Sequence, residues 1–257
     1  MSFIDSVTVG STKLLILNDP KRRNILSRDL SVELSAAVKQ AQNDPDTKAI
    51  IITGNGSSFC AGADLTDLKN AAAGETEAIN CVYNAFLDVA NASVPTIAAV
   101  NGPAVGAGMN LALACDIRIA GEAALFDTRF LKIGLHPGGG HSWMLLRAVG
   151  WQTATRMLLL GDTMSGSEAA QVGLAARCVN NDVLRETATT MAGRLADVPR
   201  ELVVRTKATM RETVTMGHRA SFEHETAEQN WSLQQPAFLD LIGRVQDRVQ
   251  GRPNLKT

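Results

Sequence analysis

Short apolar runs separated by turn residues dominate the first half of the chain. Residues 7–9 and 14–17 flank a turn at Gly10 and predict a β-hairpin. Residues 49–53 and 96–100 are apolar apart from one threonine each, which is typical of strands buried on both faces. Two strands followed by a helical pattern recur along this half, so we predict an α/β fold.

Capping residues and the spacing of apolar residues predict two helices. Ser27 precedes Leu30, Leu34 and Val38 and predicts a capped helix that buries this apolar face. Ser165 and Glu168 have the spacing of a capping box at the start of a second, short helix.

Two longer segments differ from this pattern. Residues 66–78 are polar, rich in alanine and only weakly amphipathic, which predicts a mobile flap over a site. Beyond Asp182 the sequence is helical with few turn signals. We therefore predict an α/β core over 1–182 that binds the ligand, and a helical region over 183–257.

Composition excludes several classes of function. With 45% hydrophobic and 20% charged residues and a net charge of −1, the chain gives no electrostatic case for nucleic acid or a membrane surface. No apolar run approaches the roughly 18 residues that span a bilayer, and the first residues lack signal-peptide features, so we expect a cytoplasmic protein. The four cysteines are scattered without a Cys-x-x-Cys pair, so we expect neither a metal nor disulfides.

Two turns of small residues carry the candidate chemistry. The strand over 49–53 leads into 57–65, and the strand over 96–100 leads into a glycine-rich stretch over 100–110. Such turns leave backbone N–H groups uncovered, and two of them together would make an oxyanion hole. The spacing of Gly102, Gly106 and Gly108 is not that of a dinucleotide fold, and there is no P-loop sequence.

These turns and their surroundings resemble the crotonase superfamily, also called the enoyl-CoA hydratase/isomerase family. The matching pieces extend in order over nearly the whole chain. They are residues 18–24, 59–65, 98–108, 111–120 and the sequence from Ser167 to Leu174.

The resemblance implies a fold, a ligand and an assembly. The fold is a crotonase-like spiral of ββα turns with a C-terminal helical trimerisation region, and the expected state is a homotrimer or homohexamer. The ligand is an acyl-CoA thioester, with coenzyme A as part of the substrate and no permanently bound cofactor. By the family pattern, the N–H groups of Ala63 and Ala107 hold the thioester carbonyl oxygen. The residues that correspond to the CoA site are Lys21, Arg22, Ala61, Gly62, Asp64 and Leu65.

The sequence departs from the family at both acid/base positions. Typical hydratases of this family carry two glutamates, and Asn110 and Phe130 stand at the matching places. An amide orients a water without taking its proton, and a phenyl ring does neither. Loss of one general acid or base costs about 10²–10⁴-fold in rate, so we expect standard hydration to be weak.

Three other side chains are candidates to move protons. Asp127 lies three residues before Phe130, although capping a turn is the favoured interpretation of this carboxylate. His136 and His141 flank a Pro-Gly-Gly-Gly turn that lines the acyl end of the pocket in this family. A histidine there serves as acid or base near neutral pH, or bonds to backbone at a helix start.

Two functional hypotheses follow. The first is an enoyl-CoA hydratase or isomerase, a lyase-type enzyme of fatty acid metabolism with non-standard acid/base residues. The second is a non-catalytic acyl-CoA-binding protein that has lost hydratase activity. A hydrolase with Cys60 as nucleophile is a distant third, because no histidine is adjacent in sequence and small buried cysteines are common.

Overall fold

The computed structural model describes residues 2–249, which contain two β-sheets and a series of helices. The strands are β1 (Ile4–Val9), β2 (Thr12–Leu17), β3 (Ala49–Gly54), β4 (Thr96–Val100), β5 (Pro103–Val105), β6 (Ile117–Gly121), β7 (Leu125–Asp127), β8 (Met164–Ser165) and β9 (Arg177–Val179). The larger sheet has the order β1-β2-β3-β4-β6-β9 and the smaller the order β5-β7-β8. The first seven helices are α1 (Arg28–Asn43), α2 (Leu65–Ala72), α3 (Glu77–Ala90), α4 (Ala107–Ala114), α5 (His141–Leu159), α6 (Gly166–Gln171) and α7 (Leu184–Gly193).

The predicted hairpin and buried strands are confirmed. β1 and β2 pair antiparallel, and β2, β3, β4, β6 and β9 continue the sheet in parallel. Every residue of β3 and β4 is buried, which is why these strands are almost continuously apolar. Leu14, Ile51, Ile97 and Ile119 from four neighbouring strands form one core cluster with Leu184 of α7.

Both predicted capping sites are confirmed. The hydroxyl of Ser27 accepts a hydrogen bond from the Leu30 N–H at 3.3 Å, and α1 buries the predicted apolar face. Ser165 and Glu168 form a reciprocal capping box at the start of α6.

The segment predicted as a flap, residues 66–78, overlaps most of α2 and the first residues of α3. Asp64 caps α2 by accepting from the Thr66 N–H at 2.8 Å, and none of the residues of α2 is buried. An N-cap aspartate ahead of Leu65 is a helix-start signal, and it outweighs the weak amphipathicity. The proposed mobility of 66–78 stays a prediction.

The chain divides into two compact units, one up to Ala196 and one from Asp197 onward. The second unit contains α8 (Arg200–Thr213), α9 (His218–Leu233) and α10 (Pro236–Val249). The helical character predicted beyond Asp182 is confirmed, whereas the functional boundary at 182 stays a prediction. Over residues 2–249, no helix is both long enough and apolar enough to cross a bilayer.

Candidate active site

Two backbone hydrogen bonds join the two small-residue turns. The Cys60 N–H donates to the Pro103 carbonyl at 3.1 Å, and the Val105 N–H donates to the Cys60 carbonyl at 3.0 Å. Cys60 and Ala104 thereby form a parallel bridge that links the turn after β3 to β5. The predicted meeting of the two turns therefore occurs in the fold.

Glycine is required where the two turns pack together. A Cβ atom on Gly108 would lie 2.0 Å from the Cys60 carbonyl oxygen, and one on Gly62 would lie 3.1 Å from the Val105 carbonyl oxygen. Gly62 also has a φ of 114°, which side chains disfavour. These contacts bring the backbone after Cys60 against the start of α4.

The N–H of Ala63 faces away from the strand-like segment that holds its turn. The Leu26 N–H donates to the Gly62 carbonyl at 2.8 Å, and the Asp64 N–H donates to the Leu26 carbonyl at 3.3 Å. In such a parallel bridge the middle residue directs its own N–H to the opposite side. Within residues 2–249, Ala63 donates this N–H to no other group.

The N–H of Ala107 is similarly uncommitted. Ala107 is the first residue of α4, and Gly106 adopts a φ of 51° to turn the chain into the helix. The first N–H groups of a helix lack partners within it and lie at its positive end. Among the described residues, none accepts from the Ala107 N–H, so this donor, like the N–H of Ala63, is open to a ligand acceptor.

Asn24 anchors the Ala63 turn, a role that the sequence motif alone left unassigned. Its side chain is fully buried and donates to the Asn55 and Ser58 carbonyls, each at 2.9 Å. Its Oδ1 accepts from the Asp19 N–H, also at 2.9 Å. Asn24 has a φ of 55°, and an asparagine after a basic turn is the signal that identifies such a left-handed position.

The residues that match the CoA site lie along this anchored turn. Lys21, Arg22 and Leu65 are exposed, whereas Ala61 is half-buried. Arg22 forms an ion pair with Asp64 at 2.5 Å. The Asp64 side chain is therefore engaged by Arg22 and by the cap of α2.

Asn110 and His141 form a buried side-chain pair. Asn110 is 1% exposed; its Nδ2 donates to the Gly138 carbonyl at 2.8 Å, and its Oδ1 accepts from Nδ1 of His141. His141, the first residue of α5, is also 1% exposed, and burial lowers its pKa to about 4. Its Nε2 has no hydrogen-bond partner in the described part of the chain.

Phe130 contacts the same imidazole ring. It begins a short 3-10 helix (Phe130–Ile133) and is buried. The ring centroids of Phe130 and His141 lie 4.9 Å apart with the planes at 70°, an edge-to-face arrangement. His141 therefore contacts both Asn110 and Phe130.

The other two candidates do not join this group. Asp127 is buried, accepts from the Arg129 N–H at 2.9 Å, and pairs with the Arg129 and Lys132 side chains at 2.6 and 3.6 Å. The turn-capping interpretation of Asp127 agrees with this geometry. His136 is exposed, with Nδ1 2.8 Å from the Pro137 carbonyl oxygen.

Cys60 is a structural residue in this arrangement. It is fully buried, and burial raises the pKa of its thiol to about 12. A thiol with such a pKa forms very little thiolate at neutral pH, so a nucleophilic role is disfavoured.

Comparison with known proteins identifies the family. The family profile described as enoyl-CoA hydratase/isomerase matches residues 9–236. The chain belongs to this family. This chain is 46% identical over 242 residues to the probable enoyl-CoA hydratase EchA14 of Mycobacterium tuberculosis strain H37Rv. The match covers 91% of this chain and 94% of that relative. This chain is also 35% identical over 204 residues to the 1,2-epoxyphenylacetyl-CoA isomerase of Escherichia coli K12, covering 77% of this chain and 78% of that protein.

Solved structures confirm the predicted crotonase-like fold. The enoyl-CoA hydratase from Polaromonas sp. JS666 superposes with a TM-score of 0.87 at 28% identity, covering 97% of both chains. Human enoyl-CoA hydratase domain-containing protein 3 superposes with a TM-score of 0.88 at 26% identity, covering 99% of this chain and 100% of that one. An acyl-CoA substrate fits this family membership.

Proposed function

We propose that this hydratase/isomerase homologue is an enzyme that binds an acyl-CoA thioester and polarises its carbonyl group. The N–H groups of Ala63 and Ala107 form the oxyanion hole. The observation that carries the proposal is the joining of their two turns through Cys60, with both N–H groups left uncommitted among the described residues. Donors fixed in advance stabilise the negative charge that develops on the thioester oxygen.

The CoA moiety binds along the turn that Asn24 anchors. Lys21 and Arg22 contact the phosphates, and the backbone at residues 61–65 contacts the nucleotide portion. The Arg22 side chain is 44% exposed in its pair with Asp64, and a pair so exposed is worth about 0–1 kcal/mol. A phosphate therefore competes with Asp64 for this guanidinium group at little cost.

Proton transfer in this enzyme uses His141. Of the three candidates, Asp127 is committed to two cations and His136 is exposed on its loop, whereas His141 contacts Asn110 and Phe130. A pKa of about 4 keeps the imidazole neutral at pH 7, which is the form that accepts a proton.

The second candidate function is a non-catalytic acyl-CoA-binding protein. The observation that favours it is the presence of Asn110 and Phe130 at both glutamate positions. The oxyanion hole then binds the thioester carbonyl without a proton transfer. For both functions we propose a homotrimer or homohexamer, which light scattering coupled to size-exclusion chromatography distinguishes.

Calorimetry and turnover assays separate the two functions. Purified protein is titrated with saturated acyl-CoAs, and a panel of straight and branched enoyl-CoAs is followed by loss of the conjugated thioester absorbance. Turnover that His141→Gln abolishes and His218→Gln preserves supports the enzyme. Tight binding without turnover across the panel supports the binder, and absence of CoA-thioester binding contradicts both.

Binding through the basic turn has its own test. Arg22→Gln is expected to weaken acyl-CoA binding roughly 10–150-fold, because it removes a charge-assisted contact worth about 1.5–3 kcal/mol. Lys39→Gln on α1 is the matched control for a lost surface charge. Equal affinities of the two variants would place the CoA phosphates elsewhere.

A further inference from the structure

The side chain of Asn110 is locked in one orientation between a carbonyl group and an imidazole. Its Nδ2 donates to the Gly138 carbonyl, which only accepts hydrogen bonds, so its Oδ1 must face His141. Gly139 allows this close approach, because a Cβ atom there would lie 2.8 Å from Nδ2 of Asn110.

The locked amide determines the tautomer of His141. The Oδ1 atom of Asn110 is an acceptor, so Nδ1 of the imidazole carries the proton. A neutral imidazole has one N–H, and Nε2 therefore keeps its lone pair. That nitrogen is buried and without a hydrogen-bond partner in residues 2–249. Leaving a buried acceptor unpaired is unfavourable, and a donor on a ligand would satisfy it.

We infer that Asn110 is a positioning residue that acts through His141, fixing Nε2 as an acceptor of a proton from the ligand. The inference rests on the proposed acyl-CoA function and assigns a task to the amide at the first glutamate position. Asn110 neither takes a proton nor needs to contact the substrate. Its task is to hold the imidazole in the tautomer that works as a base.

The proton balance of this step is simple. A C–H or O–H bond of the bound ligand breaks, an Nε2–H bond forms, and the electron pair stays on the ligand. When the proton leaves the carbon next to the thioester, the pair moves onto the carbonyl oxygen that Ala63 and Ala107 hold. The imidazolium returns the proton to the ligand, while its Nδ1–H stays bonded to Asn110.

The surroundings of the imidazole keep it in the neutral form. Asn110 of α4 and Phe130 of the short 3-10 helix contact it, and neither side chain is charged. Burial lowers the pKa of His141, so the base form is present throughout the neutral range. Exchange of Asn110 for aspartate would put a carboxylate against Nδ1 and raise that pKa.

Histidine ¹⁵N NMR of the full-length protein tests the tautomer directly. The expected spectrum assigns to His141 a protonated Nδ1 and a bare Nε2, and addition of butyryl-CoA is expected to shift the Nε2 resonance. His141→Gln serves to assign the signals. A protonated Nε2, or an Nε2 resonance that saturating butyryl-CoA leaves unmoved, overturns the inference.

The pH profile supplies a readout that a purely structural role would not move. Asn110→Asp is expected to keep the His141 tautomer and to shift the acid limb of the kcat/KM profile to higher pH. Asn110→Ala is expected to lower kcat about 10²-fold or more, with the KM for acyl-CoA little changed. An acid limb at the same pH in Asn110→Asp and the parent overturns the inference. If the protein does not bind butyryl-CoA at all, the proposed function is contradicted. The tautomer of His141 in the free protein is still measured by NMR in that case, so the two failures are distinguishable.

Discussion

Replacement of Ala107 by proline is expected to remove one donor of the proposed oxyanion hole and to change little else. Ala107 is the first residue of α4, and proline is tolerated at this position because its fixed φ suits the helix and its N–H has no helical partner. Gly106 before it has a φ of 51° and a ψ of −112°, outside the α region that proline forbids to its predecessor. The helix should therefore form normally in Ala107→Pro.

The expected loss follows from the geometry of the hole. Of the two N–H groups offered by Ala63 and Ala107, one disappears, and loss of one such donor costs about 2.7–4 kcal/mol in the barrier. We expect kcat on an enoyl-CoA to fall roughly 10²–10³-fold with the melting temperature nearly unchanged. Ala107→Gly keeps the N–H and is the matched control.

The assay combines steady-state kinetics with thermal unfolding of the three proteins. If the chain is a binder without turnover, affinity for butyryl-CoA replaces kcat, and CoA lacking the acyl group serves as the reference ligand. A folded Ala107→Pro protein with rate and thioester affinity within about threefold of Ala107→Gly would refute the oxyanion-hole assignment.

Three further predictions concern stability. Gly108→Ala should lower the free energy of unfolding by about 1–3 kcal/mol or more, because its Cβ would lie 2.0 Å from the Cys60 carbonyl oxygen. Gly193→Ala is the control and should leave the free energy of unfolding unchanged in urea titrations, because no atom lies within 4 Å of the added Cβ. Asn24→Ala should cost about 1–3 kcal/mol by leaving buried carbonyl groups unpaired, and a melting temperature equal to that of the parent would contradict its anchoring role. The pKa of His141 falls from 6.5 to about 4 on folding, so the unfolded chain binds the proton more readily. The contribution of this group to the free energy of unfolding is therefore complete above pH 6.5, and about 3 kcal/mol of it is lost as the pH falls toward 4. If the assignment is correct, the free energy of unfolding should depend less steeply on pH over this range in His141→Gln.

Local signals made much of the fold predictable. The hairpin around Gly10 and the caps at Ser27 and Ser165 depend on neighbouring residues, and each occurs where the sequence predicts it. The joining of the turns at Cys60 and Ala104 is a long-range contact, and it was predicted only because both turns belong to a recognisable family pattern.

The acid/base side of the site was only partly predictable. The family resemblance implies that Asn110 and Phe130 stand at the glutamate positions, and it leaves His136, His141 and Asp127 as candidates, with turn capping the favoured interpretation of Asp127. The pairing of Asn110 with His141 joins residues 31 positions apart through the folded-back glycine turn. No periodicity or spacing in a single sequence encodes that contact, because it depends on how α4 and the start of α5 pack.

The carbonyl stretching frequency of a bound thioester tests the central claim most directly. Difference infrared spectroscopy with ¹³C-labelled and unlabelled butyryl-CoA isolates this band in the complex. The account predicts a shift to lower frequency relative to free butyryl-CoA, and a smaller shift in Ala107→Pro than in Ala107→Gly. A bound thioester with the frequency of the free ligand would contradict a carbonyl held by the N–H groups of Ala63 and Ala107.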